Sequence, residues 1–126
     1  MHMAWVKTVC GRIKSDYRYS INLVYNNYPW PESATDKQHK AVEQATQAVL
    51  DARAKFPATT LADLYDPLIM PGVLLKAHQA LDLAVDRCYR KERFENDRQR
   101  VEYLFGLYEK ITAPLLPAAK PKRKRR

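Results

Sequence analysis

The sequence predicts a mainly α protein: a small antiparallel helical bundle, preceded by a short helix and an extended, β-like segment, and followed by a disordered basic tail. Three observations predict it. Between residues 35 and 113, apolar side chains recur at helical spacing in three separate stretches. Residues 12–25 instead largely alternate apolar with polar, the period of a strand. The last seven residues, 120–126, carry six basic side chains and no acidic one, too little apolar surface to fold.

Each element has its own signal. Met3 to Cys10 reads as a short helix stopped by Gly11, which suits a helix C′ position. Ile13, Tyr17, Tyr19, Ile21, Leu23 and Tyr25 mark the β-like stretch. Tyr28-Pro29-Trp30-Pro31 is extended, because each proline biases its predecessor away from the α region. Thr35 with Gln38 forms a capping box, and Val42, Ala45, Val49, Ala52 and Phe56 then step along one helix face until Pro57. Thr60 caps a short turn over 61–65, closed by Asp66-Pro67. Pro71 in a first turn opens a longer helix whose inward face is Leu74, Ala77, His78, Leu81, Val85 and Cys88. Residues 90–95 are a charged connector. Asn96 or Asp97 caps a last helix, with Val101, Leu104, Phe105, Tyr108 and Ile111 inward and Pro114 and Pro117 beyond its end. Three amphipathic helices with short links suit a bundle.

Composition bounds the function. A chain of 126 residues with 46% hydrophobic content can build one ordinary core. The net charge of +8 is uneven. Residues 1–31 hold four basic residues against one acidic, residues 32–119 hold twelve against thirteen, and the tail supplies the rest. Basic ends around a neutral middle suggest a polyanion touched by the ends. No apolar run approaches the roughly 20 residues of a membrane span, and residues 1–7 contain no signal-peptide apolar region, so the expectation is a cytoplasmic protein without membrane contact. Cys10 and Cys88 form no CxxC pair and read as reduced thiols.

Catalytic chemistry is scarce. Gly11, Gly72 and Gly106 are isolated, so no glycine-rich loop can cradle a phosphate or nucleoside. His2, His39 and His78 are far apart and lack zinc-ligand spacing. His78, on an apolar helix face, reads as a satisfied core or interface histidine. Asp82 and Asp86 are four apart, but Arg87 and Arg90 nearby suggest a solvated, ion-paired face. The chain by itself is expected to be neither catalytic nor cofactor- or metal-binding. The N-terminal 31 residues hold six of the thirteen aromatics together with Arg12, Lys14 and Arg18. That combination suits either an edge hairpin packed on the bundle or a nucleic-acid surface with basic contacts and tyrosine platforms. The tail Lys122, Arg123, Lys124, Arg125 and Arg126 suits a non-specific arm on the nucleic-acid backbone.

Several blocks in order carry a resemblance: Gly11-Arg12-Ile13-Lys14-Ser15-Asp16-Tyr17-Arg18-Tyr19-Ser20, Val24-Tyr25-Asn26-Asn27-Tyr28-Pro29-Trp30-Pro31, Ala48-Val49-Leu50-Asp51-Ala52-Arg53, Thr60-Leu61-Ala62-Asp63-Leu64-Tyr65-Asp66-Pro67 and Leu75-Lys76-Ala77-His78-Gln79-Ala80-Leu81-Asp82. Over residues 3–117 the chain resembles the C-terminal end of MmeI-like (YeeA-like) DNA methyltransferases. These are SAM-dependent adenine-N6 enzymes of restriction-modification systems, many of them fused to an endonuclease. The resemblance implies that residues 1–31 close a target recognition domain, that residues 32–117 form a C-terminal helical domain, and that 118–126 are a disordered basic tail outside it. The family's Asn-Pro-Pro-Tyr and glycine-rich SAM motifs are absent here. SAM is therefore expected of the parent enzyme and not of this chain. The expected partners are double-stranded DNA and the methyltransferase and recognition domains of the same parent.

The resemblance also implies roles for residues 11–20, whose positions flanking the serine look like exchangeable base readers. Lys14 and Asp16, two apart in a segment read as extended, would project from one face. Lys14 is donor-only and ionised Asp16 acceptor-only. Together they match one G·C pair, with Lys14 on G and Asp16 on the cytosine amino group. Arg12 and Arg18 are then backbone anchors or structural. The plain alternative is a surface ion pair worth about 0–1 kcal/mol. At the level of the whole chain, the competing function is an autonomous small basic nucleic-acid-binding protein unrelated to methylation.

Overall fold

A computed structural model of the chain describes residues 1–115. The basic arm read from 122–126 lies outside the described residues. The order of elements is α1 (His2–Val9), β1 (Gly11–Ile13), β2 (Asp16–Arg18), a one-turn π-helix (Ile21–Tyr25), α2 (Asp36–Ala54), α3 (Leu61–Leu64), α4 (Gly72–Tyr89) and α5 (Asp97–Thr112). The mainly α class predicted from the sequence is what forms. The residues divide into two compact units: Trp30–Glu95 with Met1, and His2–Pro29 with the stretch from Asn96 onward.

The first unit is built on α2 and α4. Thr35 accepts from the Gln38 backbone N–H at 3.3 Å, while Gln38 accepts from the Thr35 N–H at 2.8 Å, so two otherwise orphaned donors of α2 are satisfied reciprocally. Asp36 in the first turn and Arg53 in the last complement the helix dipole. The two helices run antiparallel. Gln38 Nε2, near the start of α2, donates to the Arg87 carbonyl near the end of α4 at 2.6 Å. At the opposite end Val49, Ala52, Leu64 and Leu74 form the buried centre, with Phe56, Met70, Ala77 and Leu81 packed against it. Thr60 caps α3 by accepting from the Asp63 N–H at 3.1 Å. The 90–95 connector is organised by Arg90, whose guanidinium lies 3.7 Å from the centre of the Phe94 ring and donates to the carbonyls of Glu92 and Arg93.

The second unit joins the two ends of the described chain. Trp5, 2% exposed, has its ring centre 5.2 Å from that of Phe105 and 6.0 Å from that of Tyr108. Lys7 Nζ meets the Asp97 carboxylate at 3.1 Å. Asn96 caps α5 by accepting from the Gln99 N–H at 3.0 Å. The partner of α5 is thus α1, which meets it at Phe105 and Tyr108; Leu104 is buried, whereas Ile111, expected inward, is 44% exposed because the short α1 does not reach it. The α2–α4 pair closes its own core.

Two details differ from the sequence reading. Residues 21–25 are a helical turn and not a strand. Ser20 caps it, accepting from the Leu23 N–H at 3.4 Å, and Asn27 Nδ2 satisfies the carbonyls of Asn22 and Leu23. These local polar bonds outcompete a sheet ladder that has no third strand to join. Val24, at 0% exposure, is what the turn buries, while Ile21 and Leu23 face outward. Asp86 is also not solvated: it is 3% exposed, whereas Asp82 is exposed, so the two carboxylates do not share one solvent-facing stripe.

Candidate nucleic-acid interface

The hairpin at 11–18 is positioned from below. The Cys10 N–H closes α1 on the Val6 carbonyl at 3.0 Å, and the chain turns directly into β1. After β2, His2 and the Tyr19 hydroxyl share a hydrogen bond at 3.1 Å, and the His2 ring meets Tyr28 edge-on at 4.7 Å. Burial against these rings, with the nearby chain amino group, lowers the His2 imidazole pKa from its ordinary value. Trp5 Nε1 donates to the Val24 carbonyl at 3.1 Å. The base of the hairpin is therefore tied to α1 on one side and to the π-turn on the other.

β1 and β2 pair antiparallel with Gly11 opposite Arg18, Arg12 opposite Tyr17 and Ile13 opposite Asp16. Every residue of both strands is exposed. Lys14 and Ser15 form a two-residue loop, and Lys14 has φ of 56°, in the left-handed region. Paired residues share a face and neighbours alternate. One face thus carries Gly11, Ile13, Asp16 and Arg18, and the other Arg12 and Tyr17. On that second face the Arg12 guanidinium lies 4.5 Å from the Tyr17 ring centre and donates to its hydroxyl at 3.3 Å.

This corrects the derivation for Lys14 and Asp16. They are not neighbours on one face of an extended strand: Lys14 sits at the tip and Asp16 begins β2. A two-residue loop without glycine or asparagine gives little sequence signal. Both are exposed at the tip end of the same ribbon. Arg12 and Arg18, treated alike from the sequence, fall on opposite faces.

His78 Nε2 and the Tyr65 hydroxyl share a hydrogen bond at 2.7 Å, so this histidine is satisfied, as its place on the helix face suggested. Among the described residues no three His, Cys, Asp or Glu side chains group to hold a metal. No helix among them is long and apolar enough to cross a membrane. An open hollow of about 440 Å³ on α2 is lined by Lys37, Lys40, Ala41 and Gln44. The sequence reading missed it, because two lysines three apart look like any solvated helix face. Cys10 and Cys88 are free thiols, and burial pushes the Cys88 thiol up.

Comparison with known proteins assigns both parts. The model of the MmeI C-terminal domain matches residues 34–116, and that of the MmeI target recognition domain matches residues 1–32. The chain belongs to the MmeI family. It is 47% identical over 112 residues to DNA methyltransferase A of Bacillus subtilis (strain 168), covering 89% of this chain and 12% of that protein. It also matches the structure of the Type IIL restriction-modification enzyme MmeI in complex with DNA, with a TM-score of 0.83 and 47% identity over 89% of this chain and 15% of that one. The chain therefore spans a small part of these MmeI-family relatives. The hairpin lies wholly within the segment that matches the target recognition domain. Of the three isolated glycines, Gly11 is in β1, Gly72 opens α4 and Gly106 is inside α5.

Proposed function

We propose that the chain is the DNA-reading and supporting C-terminal part of a SAM-dependent DNA adenine-N6 methyltransferase of restriction-modification type, and takes no part in catalysis. The observation that carries this is the hairpin. It is a two-stranded ribbon, exposed on both faces and bearing Arg12, Lys14 and Arg18, within the segment matching the MmeI target recognition domain. A ribbon of two strands is of a size the major groove admits. Lys14 at the tip is the donor for a guanine, and Asp16 is the acceptor for a cytosine amino group. Arg12, braced on Tyr17, and Arg18 serve the DNA backbone. Lys122, Arg123, Lys124, Arg125 and Arg126 add sequence-independent affinity. The α2–α4 unit supports the recognition and methyltransferase domains of the parent.

The test replaces the matching segment of DNA methyltransferase A with this chain and maps the methylated sites by sequencing. Lys14→Glu with Asp16→Arg reverses donor and acceptor. The preferred pair at one position should switch from G·C to C·G, at about 1–3 kcal/mol per good contact. An active double variant that keeps the original base there refutes the assignment. The isolated chain should give no calorimetric signal with SAM, and a stoichiometric one would refute the non-catalytic reading. Removing residues 120–126 should flatten the dependence of log affinity on log salt. The second reading, an autonomous nucleic-acid binder, rests on the basic ends alone and predicts no effect of this chain on methylation sites.

A further inference from the structure

The hairpin face opposite Arg12 and Tyr17 contains one apolar side chain, Ile13, and it is 58% exposed. The fold does not explain it. Its neighbours on that face are Gly11, Asp16 and Arg18, none of which gives it an apolar partner. A β-branched residue at a strand end needs no such exposure, and a threonine would hold the same backbone with less apolar surface in water. Gly11 on the same face is equally unexplained. Its φ is not positive, and a Cβ built there meets no heavy atom within 4 Å, so neither conformation nor packing requires glycine. With no side chain and open space around it, Gly11 leaves room for a ligand to approach the backbone closely on this face. The other face is already engaged in the Arg12–Tyr17 stack. Both faces are exposed, and the face of Gly11, Ile13, Asp16 and Arg18 is the one whose apolar side chain has no ring or cation stacked on it within the hairpin.

Resting on the groove-reading function above, we infer that Ile13 is a specificity-determining residue that packs on the 5-position of a pyrimidine in the major groove, where a methyl group is accepted as an apolar contact. Ile13 is the direct cross-strand partner of Asp16, so their Cα atoms are about 4.5–5.5 Å apart. Asp16 accepts from the N4 amino group of cytosine. The ring position next to that amino-bearing carbon is C5. A side chain one strand-spacing from Asp16 reaches either the C5 edge of the same cytosine or the thymine methyl of an adjoining base pair. A carboxylate and an aliphatic group side by side match an amino group and a C5 edge side by side. Two sources supply the same chemistry: thymine, whose 5-methyl is intrinsic, and 5-methylcytosine.

The experiment uses the chain in place of the matching segment of DNA methyltransferase A. Duplexes carry the methylated site with each thymine replaced in turn by deoxyuridine and each cytosine by 5-methylcytosine, and the rate of methylation is measured. Removing or adding the methyl at one position should change kcat/KM by about fourfold, the worth of one buried methyl-sized group. The deoxyuridine arm responds if the source is thymine, the 5-methylcytosine arm if it is the cytosine under Asp16. Ile13→Ser should erase that sensitivity while leaving the G·C preference set by Lys14 and Asp16 intact. Sensitivity that survives Ile13→Ser, or no sensitive position while the G·C preference stands, overturns the inference alone.

A second measurement uses the 126-residue chain itself and does not need an active chimera. With isoleucine δ1 methyls labelled, Ile13 is followed against Ile21, Ile69 and Ile111 in titrations with random-sequence duplex pools made with thymine or with uracil. Of the four isoleucine methyls only that of Ile13 should move; it moves more with thymine than with uracil if the source is thymine, and more with 5-methylcytosine than with cytosine in a further pool if the source is the cytosine under Asp16. Backbone amides of Lys14 and Arg18 that shift while the Ile13 methyl does not overturn the inference. A hairpin that does not respond at all overturns the groove-reading function with it.

Discussion

Trp5 donates its indole N–H to the carbonyl of Val24 at 3.1 Å, and both residues are buried. The bond fastens α1 to the turn that follows the hairpin. The same indole packs on Phe105 and Tyr108 of α5. The segment matching the recognition domain thus shares a core with a helix of the segment matching the C-terminal domain. The boundary between the two family segments, near residue 33, is not the boundary between packed units. The base of the hairpin is thus linked to α5 through Trp5.

Trp5→Ala should accordingly cost about 3–5 kcal/mol, the range for removing a large buried aromatic. Denaturant unfolding of the whole chain measures it. Trp5→Phe keeps ring packing but leaves the buried Val24 carbonyl without its donor, a loss of about 1–3 kcal/mol. Equal costs for the two variants would show that the hydrogen bond, and not the packing, carries the site.

The Lys7–Asp97 pair gives a pH signature. The Lys7 ammonium, hydrogen-bonded to Asp97, holds the carboxyl below its ordinary value of 3.8, and Arg100 adds to this. A depressed folded pKa means the ionised form is favoured in the native state. Its contribution is complete above the ordinary value and is lost as pH falls through the lower folded value. Both side chains are about half exposed, so the pair is worth at most about 1 kcal/mol. A double-mutant cycle with Lys7→Met and Asp97→Asn should show a coupling of that size at neutral pH that disappears in acid. A coupling that grows in acid contradicts the assignment.

Much of this architecture is legible in the sequence because its signals are local. Thr35 and Gln38 are within one turn, and the stripe from Val42 to Phe56 repeats often enough to fix both helix and inward face. The hairpin site was legible only as chemistry. Arg12, Lys14, Asp16 and Arg18 stand out by type, but their faces depend on a two-residue loop that carries no turn residue. Ile21, Leu23 and Tyr25 mimic strand alternation, yet the residue buried is Val24, chosen by Trp5 from nineteen positions away. The pairing of α5 with α1 has the same origin. Amphipathic periodicity states that a helix has a partner, not which one, and Trp5 meets Phe105 across almost the whole described chain. Asp86 was misread because neighbouring arginines look the same whether a carboxylate is solvated or buried.

Gly11→Ala separates fold from function at the hairpin. With open space around the added methyl and no positive φ, stability should change by no more than about 0.5 kcal/mol. If the Gly11 face meets DNA at close range, affinity for duplex should still fall and Gly11→Val should weaken it further. Full binding by both variants, measured by fluorescence anisotropy, would show that nothing approaches that face.

Lys14 adopts φ of 56°, which a residue with a Cβ occupies at a cost of roughly 1–2 kcal/mol while glycine does not. Lys14→Gly should therefore raise the population of the paired hairpin by about 1 kcal/mol, read from cross-strand NOEs between Arg12 and Tyr17 and from slower amide exchange. Lys14→Asn should gain a smaller part of this, since asparagine tolerates the left-handed region better than lysine. Lysine is not the most stable choice at this loop position, which supports the proposed contact role over a purely turn-forming one. The two roles make opposite predictions for DNA. If Lys14 is only a loop residue, the glycine variant should bind duplex as well as before or better, because its hairpin is better formed. If Lys14 reaches a guanine, the glycine variant should lose affinity and preference at that position despite the more ordered ribbon. A more stable hairpin that reads DNA less well is the outcome expected here.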